Sequence, residues 1–376
     1  MPRTASSHTS LPLSRRDFLL RAGAGFGSVA LSALLAREHG AAAEPRPGLA
    51  PRPPHFAAKA KNVIWCFMDG GPSHIDLFDP KPALARLHGQ PLPASFPRPM
   101  TAMGVTAYSP LMASRRKFAR HGQSGLWVSD WYPEIASCAD ELCVLRSCVA
   151  DGLTHVGGIL QMHTCSLLPG RPALGAWALY GLGSECDDLP GYVVLVDSYA
   201  APPSGALAWG NGFLPVTYQG TRFNSEGNPI LYADSPAGVD VDRQRAKVSF
   251  INDLNRRYAV PRRAHDHIDA QIAAYELAFR MQSSAPQAVD LSGETAETRR
   301  LYGLDRPETA INGRNCLLAR RLVERGVRFV QMYMGAGSRW DAHNDLEGNH
   351  NQYCQERDRP IAALIKDLKR RGLLDE

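Results

Sequence analysis

Hydrophobic residues fall into two kinds of run along this chain. Asn62 to Met68, Leu142 to Leu145, Gly191 to Val196 and Val327 to Met334 are mostly apolar without polar alternation, which predicts short strands buried on both faces, as in a parallel sheet. Trp131 to Ala139, Ala173 to Leu182, Arg243 to Tyr258, Asp266 to Gln282 and Asn312 to Arg325 repeat their apolar positions three and four apart, the period of amphipathic helices. The arginines on the other positions of these helices predict solvated faces. Strands alternating with helices place the chain in the α/β class, with a mostly parallel central sheet flanked by helices. Residues 200–240 are rich in Gly, Pro, Ser and Asn with little period, and predict a long insertion loop of the sort that walls a pocket.

The chemistry gathers where predicted strands end. The first run stops at Asp69-Gly70-Gly71-Pro72, so a carboxylate stands at the carboxyl edge of a strand, where open parallel sheets bind ligands. Ser73, His74, Asp76 and Asp79 crowd into the loop that follows, groups of the kind that hold a divalent metal or an oxyanion. The same residue types also cap helices and turns. The last run leads into Gly335-Ala336-Gly337 and then Trp340-Asp341-Ala342-His343. Asp341 and His343 are two apart, so in an extended segment both side chains point the same way and can grip one ion. A third polar group runs from Thr154 and His155 to His163-Thr164-Cys165, with His163 expected to pack in the core or on a helix surface. Arg146, which closes the run at Leu145, and Arg171, in Pro169-Gly170-Arg171-Pro172, carry guanidinium groups that match the non-bridging oxygens of a phosphate or sulfate.

The first residues read as an address. Ser14-Arg15-Arg16-Asp17-Phe18-Leu19-Leu20, a Gly/Ala/Leu-rich stretch to Ala36 and the small residues Ala41-Ala42-Ala43 form a twin-arginine export signal over 1–43, handled by the twin-arginine translocase. The apolar stretch is weak and carries Arg21, so no permanent membrane span is expected. Residues 44–59 are a leader, with five prolines between Glu44 and His55. The formal charge of +5 includes Arg3, Arg15, Arg16, Arg21 and Arg37 of the signal. The remainder is near neutral, and no nucleic-acid footprint survives. Eight cysteines include no C-x-x-C pair, and Cys138, Cys143 and Cys148 are expected to be core thiols rather than a zinc cluster.

Phe67 to Pro82, Gly170-Arg171-Pro172, Tyr180 to Glu185, Leu189-Pro190-Gly191, Asn315 to Gly326 and Trp340-Asp341-Ala342-His343 together resemble the exported family catalogued as domain of unknown function 1501, over residues 60–376. That family is grouped with the alkaline phosphatase and sulfatase superfamily. The resemblance implies an alkaline-phosphatase-like sandwich in one domain over 60–376, with Asp69 as the first metal ligand and Asp341 with His343 as a later ligand pair. The cation would be zinc, manganese, calcium or magnesium. Sulfatases place their nucleophile nine residues before the Thr of a Thr-Gly pair. That count from Thr164 falls on His155, beside Thr154, while Cys165 stands where the glycine would be, so the chain is no ordinary formylglycine sulfatase. Pro360 to Glu376 resembles the helix that precedes another core strand and metal-binding turn, so an incomplete C-terminus is expected. The implied activity is hydrolysis of sulfate or phosphate esters in the periplasm or outside the cell, with polysaccharide esters among the candidate substrates. The alternative is a non-catalytic binder of sulfated or phosphorylated polymers on the same fold.

Overall fold

The computed structural model describes residues 49–100, 108–197, 201–224, 230, 237–259 and 265–375, which lie within one compact unit, Gly48–Glu376. The twin-arginine segment and the first part of the leader fall outside the described residues. The chain begins with β1 (Val63–Phe67), the short helices α1 (His74–Leu77) and α2 (Pro82–Leu87), and an antiparallel hairpin of β2 (Phe118–His121) and β3 (Leu126–Ser129). Helices α3 (Pro133–Ala136), α4 (His155–Thr164) and α5 (Leu174–Leu182) lead to β4 (Tyr192–Val196) and β5 (Thr221–Asn224). There follow α6 (Val241–Ala259), α7 (His265–Val289), α8 (Ala296–Leu301), α9 (Pro307–Glu324), β6 (Phe329–Tyr333) and α10 (Leu346–Arg370).

The main sheet runs β1-β6-β4-β5 with every pairing parallel. Tyr333 stands in register with Phe67 on one side and Val196 on the other, so the segments after β1, β4 and β6 leave from one edge. The strands β1 and β4, and β6 apart from Gln331, are apolar because both faces are covered, whereas β5 at the edge is half polar. Ile64, Cys66, Val193, Leu195, Val330 and Met332 join residues of α7, α9 and α10 in one core. The alternate residues Trp65, Phe67, Tyr192, Val194, Val196, Phe329 and Tyr333 pack against α4, α5 and the segment around Trp209. A third core lies where β3 and α3 meet α10.

Helix α9 shows how local chemistry delivers a strand. Pro307 occupies its first turn, where the missing N–H is no loss. Gly326, at φ 82°, ends it with the Gly326 amide on the Val323 carbonyl and the Val327 amide on the Leu322 carbonyl, a Schellman stop that turns the chain into β6.

Five sequence expectations change. Leu142 to Leu145 forms no strand: Cys143 and Leu145 are exposed, and an isolated apolar run of four has no neighbour to pair with. Trp131 to Ala139 shortens to the single turn of α3. Residues 200–240 include β5, which pairs with β4, so the segment closes the sheet edge as well as looping. Among the three spaced cysteines only Cys138 is buried, and none of the eight is disulfide-bonded. Not all arginines are solvated either. Arg320 of α9 is 2% exposed and meets Glu294 at 2.8 Å, Glu324 at 2.7 Å and Asp367 of α10 at 3.2 Å. No helix among the described residues is long and apolar enough to cross a membrane.

Candidate active site at the carboxyl edge of the sheet

Asp69 follows β1 and is fully buried, so its carboxylate must find donors inside the protein. It finds them in the loop after β6. The amides of Gly337 and Ser338 both donate to Oδ2 at 2.9 Å, and the Ser338 hydroxyl reaches Oδ1 at 3.4 Å. Gly337 (φ 88°) and Ser338 (φ 60°) adopt left-handed backbone, which turns successive N–H groups into an anion-binding nest. The Asp69 carbonyl in turn accepts from the Trp340 amide at 3.1 Å. Gly70, at φ 105°, lets the two loops cross, since a Cβ there would lie 2.6 Å from the Asp341 nitrogen and the Ser338 oxygen.

A second buried carboxylate grips the same loop from β4. Asp197 accepts from the Gly335 amide at 2.6 Å and the Ala336 amide at 3.3 Å. Burial pushes its pKa up, against the pull of the Gly335 amide and the Arg357 guanidinium. Arg357 of α10 lies 3.6 Å from Asp197, pairs with Glu356 at 2.7 Å and sits over the rings of Trp340 and Tyr353.

The clamped loop presents Asp341. Its Oδ2 lies 2.6 Å from His343 Nε2 and 2.9 Å from His155 Nε2, so one carboxylate oxygen serves two imidazoles. All three side chains reach solvent: Asp341 is 32% exposed, His155 43% and His343 78%. A cleft of about 270 Å³ opens beside His343, walled by Asp76, Met112, Arg115, Asp345 and Glu347.

His155 is the first residue of α4, a helix absent from the periodicity reading because its only apolar stretch is interrupted by two glycines. Thr154 caps it, its hydroxyl oxygen accepting from the Gly157 amide at 3.2 Å. At the far end of α4, His163 is buried against Trp65, Phe67 and Tyr333. Its Nδ1 is 2.7 Å from the Ile159 carbonyl and must carry the hydrogen, which leaves Nε2 to accept from the Tyr333 hydroxyl at 3.4 Å. Burial drops the His163 pKa from 6.5 to about 4, with the Ile159 hydrogen bond working against the drop.

The unfolded chain therefore binds this proton more readily than the native one. His163's contribution is fully present above its unfolded pKa and is lost as pH falls toward about 4. The expected loss over that range is about 3 kcal/mol. Asp358 runs the other way, because burial raises its carboxyl to about 6 despite amide donors from Glu134 and Ile135. Urea unfolding at about pH 7 and about pH 4 should thus show a larger acid loss in the wild type than in a His163→Phe variant, the difference isolating His163.

The remaining predicted residues have other partners. Ser73 donates its hydroxyl to Asp76 at 2.5 Å and its amide to His350 Nε2 at 2.9 Å. His350 is buried between Trp131 and Trp340, and burial lowers its pKa. His74 is exposed at the start of α1. Arg146 lies 3.7 Å from Asp79, and Arg171 is exposed with no ion pair or hydrogen bond among the described residues. Sequence reasoning missed Asp197, Arg357 and His350. Asp197 carried the signal that marked Asp69, a carboxylate directly after an apolar strand, whereas Arg357 and His350 lie in a polar stretch of α10 with nothing to single them out.

A family model described as a protein of unknown function, DUF1501, matches residues 60–376. The chain belongs to this family. No curated protein and no solved structure matches it. Two of the six segments that resemble the family, Phe67 to Pro82 and Trp340 to His343, meet where the two loops cross.

The donors present bear on the cation that the resemblance implies. Asp69 turns Oδ2 onto two backbone amides and Oδ1 toward the Ser338 hydroxyl, and among the described residues no group of three or more His, Cys, Asp or Glu side chains is placed to hold a metal ion. Asp69, Asp341 and His343 do not fit a shared site as arranged. Asp69 acts here as the buttress of the loop that carries Asp341.

Proposed function

We propose that the chain is an exported hydrolase of sulfate or phosphate esters on an alkaline-phosphatase-like sandwich, with His155, Asp341 and His343 as its reactive centre. One observation carries the reading: a carboxylate after β6 engages two solvent-reaching imidazoles, one of them 186 residues earlier in the chain. Exposed side chains lose rotamer freedom when held in such a group, and convergence at a sheet edge is the arrangement expected of a site.

Asp341 orients both rings and stabilises whichever imidazolium forms. One imidazole takes a proton from the attacking water while the ester bond to phosphorus or sulfur breaks, and the other returns a proton to the departing alkoxide. A divalent cation would have to draw on the same two imidazoles and the carboxylate, a donor set suited to zinc or manganese. As arranged, both imidazoles spend their Nε2 atoms on one oxygen of Asp341, so the proton transfers are assigned to the imidazoles. Export by the twin-arginine route to the periplasm or beyond belongs to the same reading.

The test is hydrolysis of 4-nitrophenyl phosphate and 4-nitrophenyl sulfate by the purified chain, with and without added zinc, manganese, calcium or magnesium. His155→Gln and His343→Gln are each expected to lower turnover by about 10²–10⁴-fold while leaving the melting temperature unchanged. Turnover that survives both substitutions would refute the assignment. A chain that hydrolyses neither ester under any metal, yet binds sulfated or phosphorylated polymers, is the non-catalytic binder, a reading favoured by the engagement of Asp69 on amides.

A further inference from the structure

We infer that the hairpin of α6 and α7 carries a second anion site, a pocket for the sulfate or phosphate group of a hydroxylated, saccharide-like ligand. A cavity of about 200 Å³ lies between the two helices, lined by Arg245, Asn252 and Arg256 of α6 and Glu276, Phe279 and Arg280 of α7. Three guanidinium groups and one carboxylate, Glu276, line the cavity; Arg245 also lies 3.7 Å from Asp242 and Arg256 3.1 Å from Asp253, exposed pairs of little strength that an anion in the cavity can compete with. Arg245 and Arg256 are eleven positions apart, about three helical turns, which puts them on one face of α6. Arg256 lies 3.7 Å from Glu276, and Arg245 sits over the Phe279 ring at 5.7 Å. Arg280 donates Nε to the Asp187 carbonyl at 2.7 Å, which fixes its plane and leaves both terminal nitrogens without a partner among the described residues. A fixed guanidinium loses little further freedom on meeting an oxyanion.

Asn252 narrows the ligand class. It is 2% exposed, and its amide nitrogen donates to Glu276 at 3.3 Å. Its Oδ1 is buried without a hydrogen-bond partner. Turning the amide over would set oxygen against the Glu276 carboxylate, so the unmet group is an acceptor. A buried acceptor without a partner costs about 1–3 kcal/mol until something donates to it. Inorganic sulfate, which has no hydrogen to donate, offers Asn252 nothing. A sugar ester offers both a hydroxyl for Asn252 and an anionic group for the arginines, and its C–H face suits Phe279 and Val248. The volume admits about one substituted sugar ring. The choice of an ester of sulfate or phosphate rests on the proposed function, whereas the pocket's charge and its unmet acceptor do not.

The experiment is calorimetric titration of the purified full chain with dextran sulfate, dextran phosphate and unmodified dextran at about 0.15 M salt, where surface charges more than about 8 Å apart are screened. One or both esterified dextrans should bind and plain dextran should not, and the tighter of the two names the ester. The combined Arg245→Gln, Arg256→Gln and Arg280→Gln variant should weaken binding by about tenfold or more, equivalent to about 1.4 kcal/mol, with ester hydrolysis and melting temperature unchanged. Should the triple variant melt early, the single variants replace it, each expected to weaken binding at unchanged melting temperature. Asn252→Ala should weaken the esterified dextrans but not inorganic sulfate. The inference is overturned if the wild type binds no esterified dextran, if it binds plain dextran equally, or if the arginine variants bind as the wild type does. Hydrolysis assays on His155 and His343 variants read the first site alone, so either result can fail while the other stands.

Discussion

Replacing Arg320 by alanine is expected to lower the unfolding free energy by about 3–5 kcal/mol. Its guanidinium is buried and holds Glu294, Glu324 and Asp367 within 3.2 Å, with Tyr302 completing the hydrogen bonds of Asp367. Removing it takes the central cation out of a buried network: Glu294 Oε2 loses its partner and Asp367 Oδ2 keeps only the Tyr302 hydroxyl, although Arg321 still holds the other oxygen of Glu294 and Arg370 and Arg371 the other oxygen of Asp367. Burial works against the charge of Arg320, but the hydrogen bonds it donates to Glu324 and Glu294 outweigh this and raise its pKa, so the charge persists at any pH where the protein folds. Arg370, which also meets Asp367 but is half exposed, is the control, and Arg370→Ala should cost less than about 1 kcal/mol. Urea denaturation of the two variants checks the contrast. Equal losses would mean that the buried Arg320 does no more for the network than its half-exposed neighbour Arg370.

Asp69→Ala is the second large effect. Two backbone amides donate to one oxygen of Asp69 and the Ser338 hydroxyl reaches the other, and alanine leaves both amides without an acceptor. Orphaned buried donors cost about 1–3 kcal/mol each, so a loss of about 2–5 kcal/mol in stability is expected. The loop that carries Asp341 loosens with it, and ester turnover should fall. Stability measured with and without a chelator separates the two roles open to this carboxylate. A loop buttress gives the same deficit in both conditions, while a metal ligand gives a deficit that shrinks once the metal is stripped from the wild type. A deficit that vanished in chelator would restore Asp69 to the metal site.

Much of the fold was legible because its strands are apolar on both faces and its long helices repeat over many turns. Val63 to Phe67, Tyr192 to Val196 and Phe329 to Tyr333 needed no partner to be recognised. Leu142 to Leu145 misled because four apolar residues fit a strand and a loop equally, and only pairing separates the two. Thr221–Asn224 escaped notice for the converse reason: it is half polar, and its place beside β4 comes from the sheet. Arg320 looked like any other helix-surface arginine until the packing of α9 on α10 enclosed it.

The chain by itself determined that a carboxylate follows the first strand, that an acid and an imidazole stand two apart after the last, and that they belong to one family's segments. Side-chain alternation along a strand is local, so these features are written in a few consecutive residues. Tertiary structure decided which groups meet. The parallel register of β1, β6 and β4 brings three strand ends to one edge, the left-handed backbone at Gly337 and Ser338 turns amides onto Asp69, and the docking of His163 delivers His155 to Asp341. Contacts between residues so far apart in sequence depend on how whole elements pack, which no local pattern encodes.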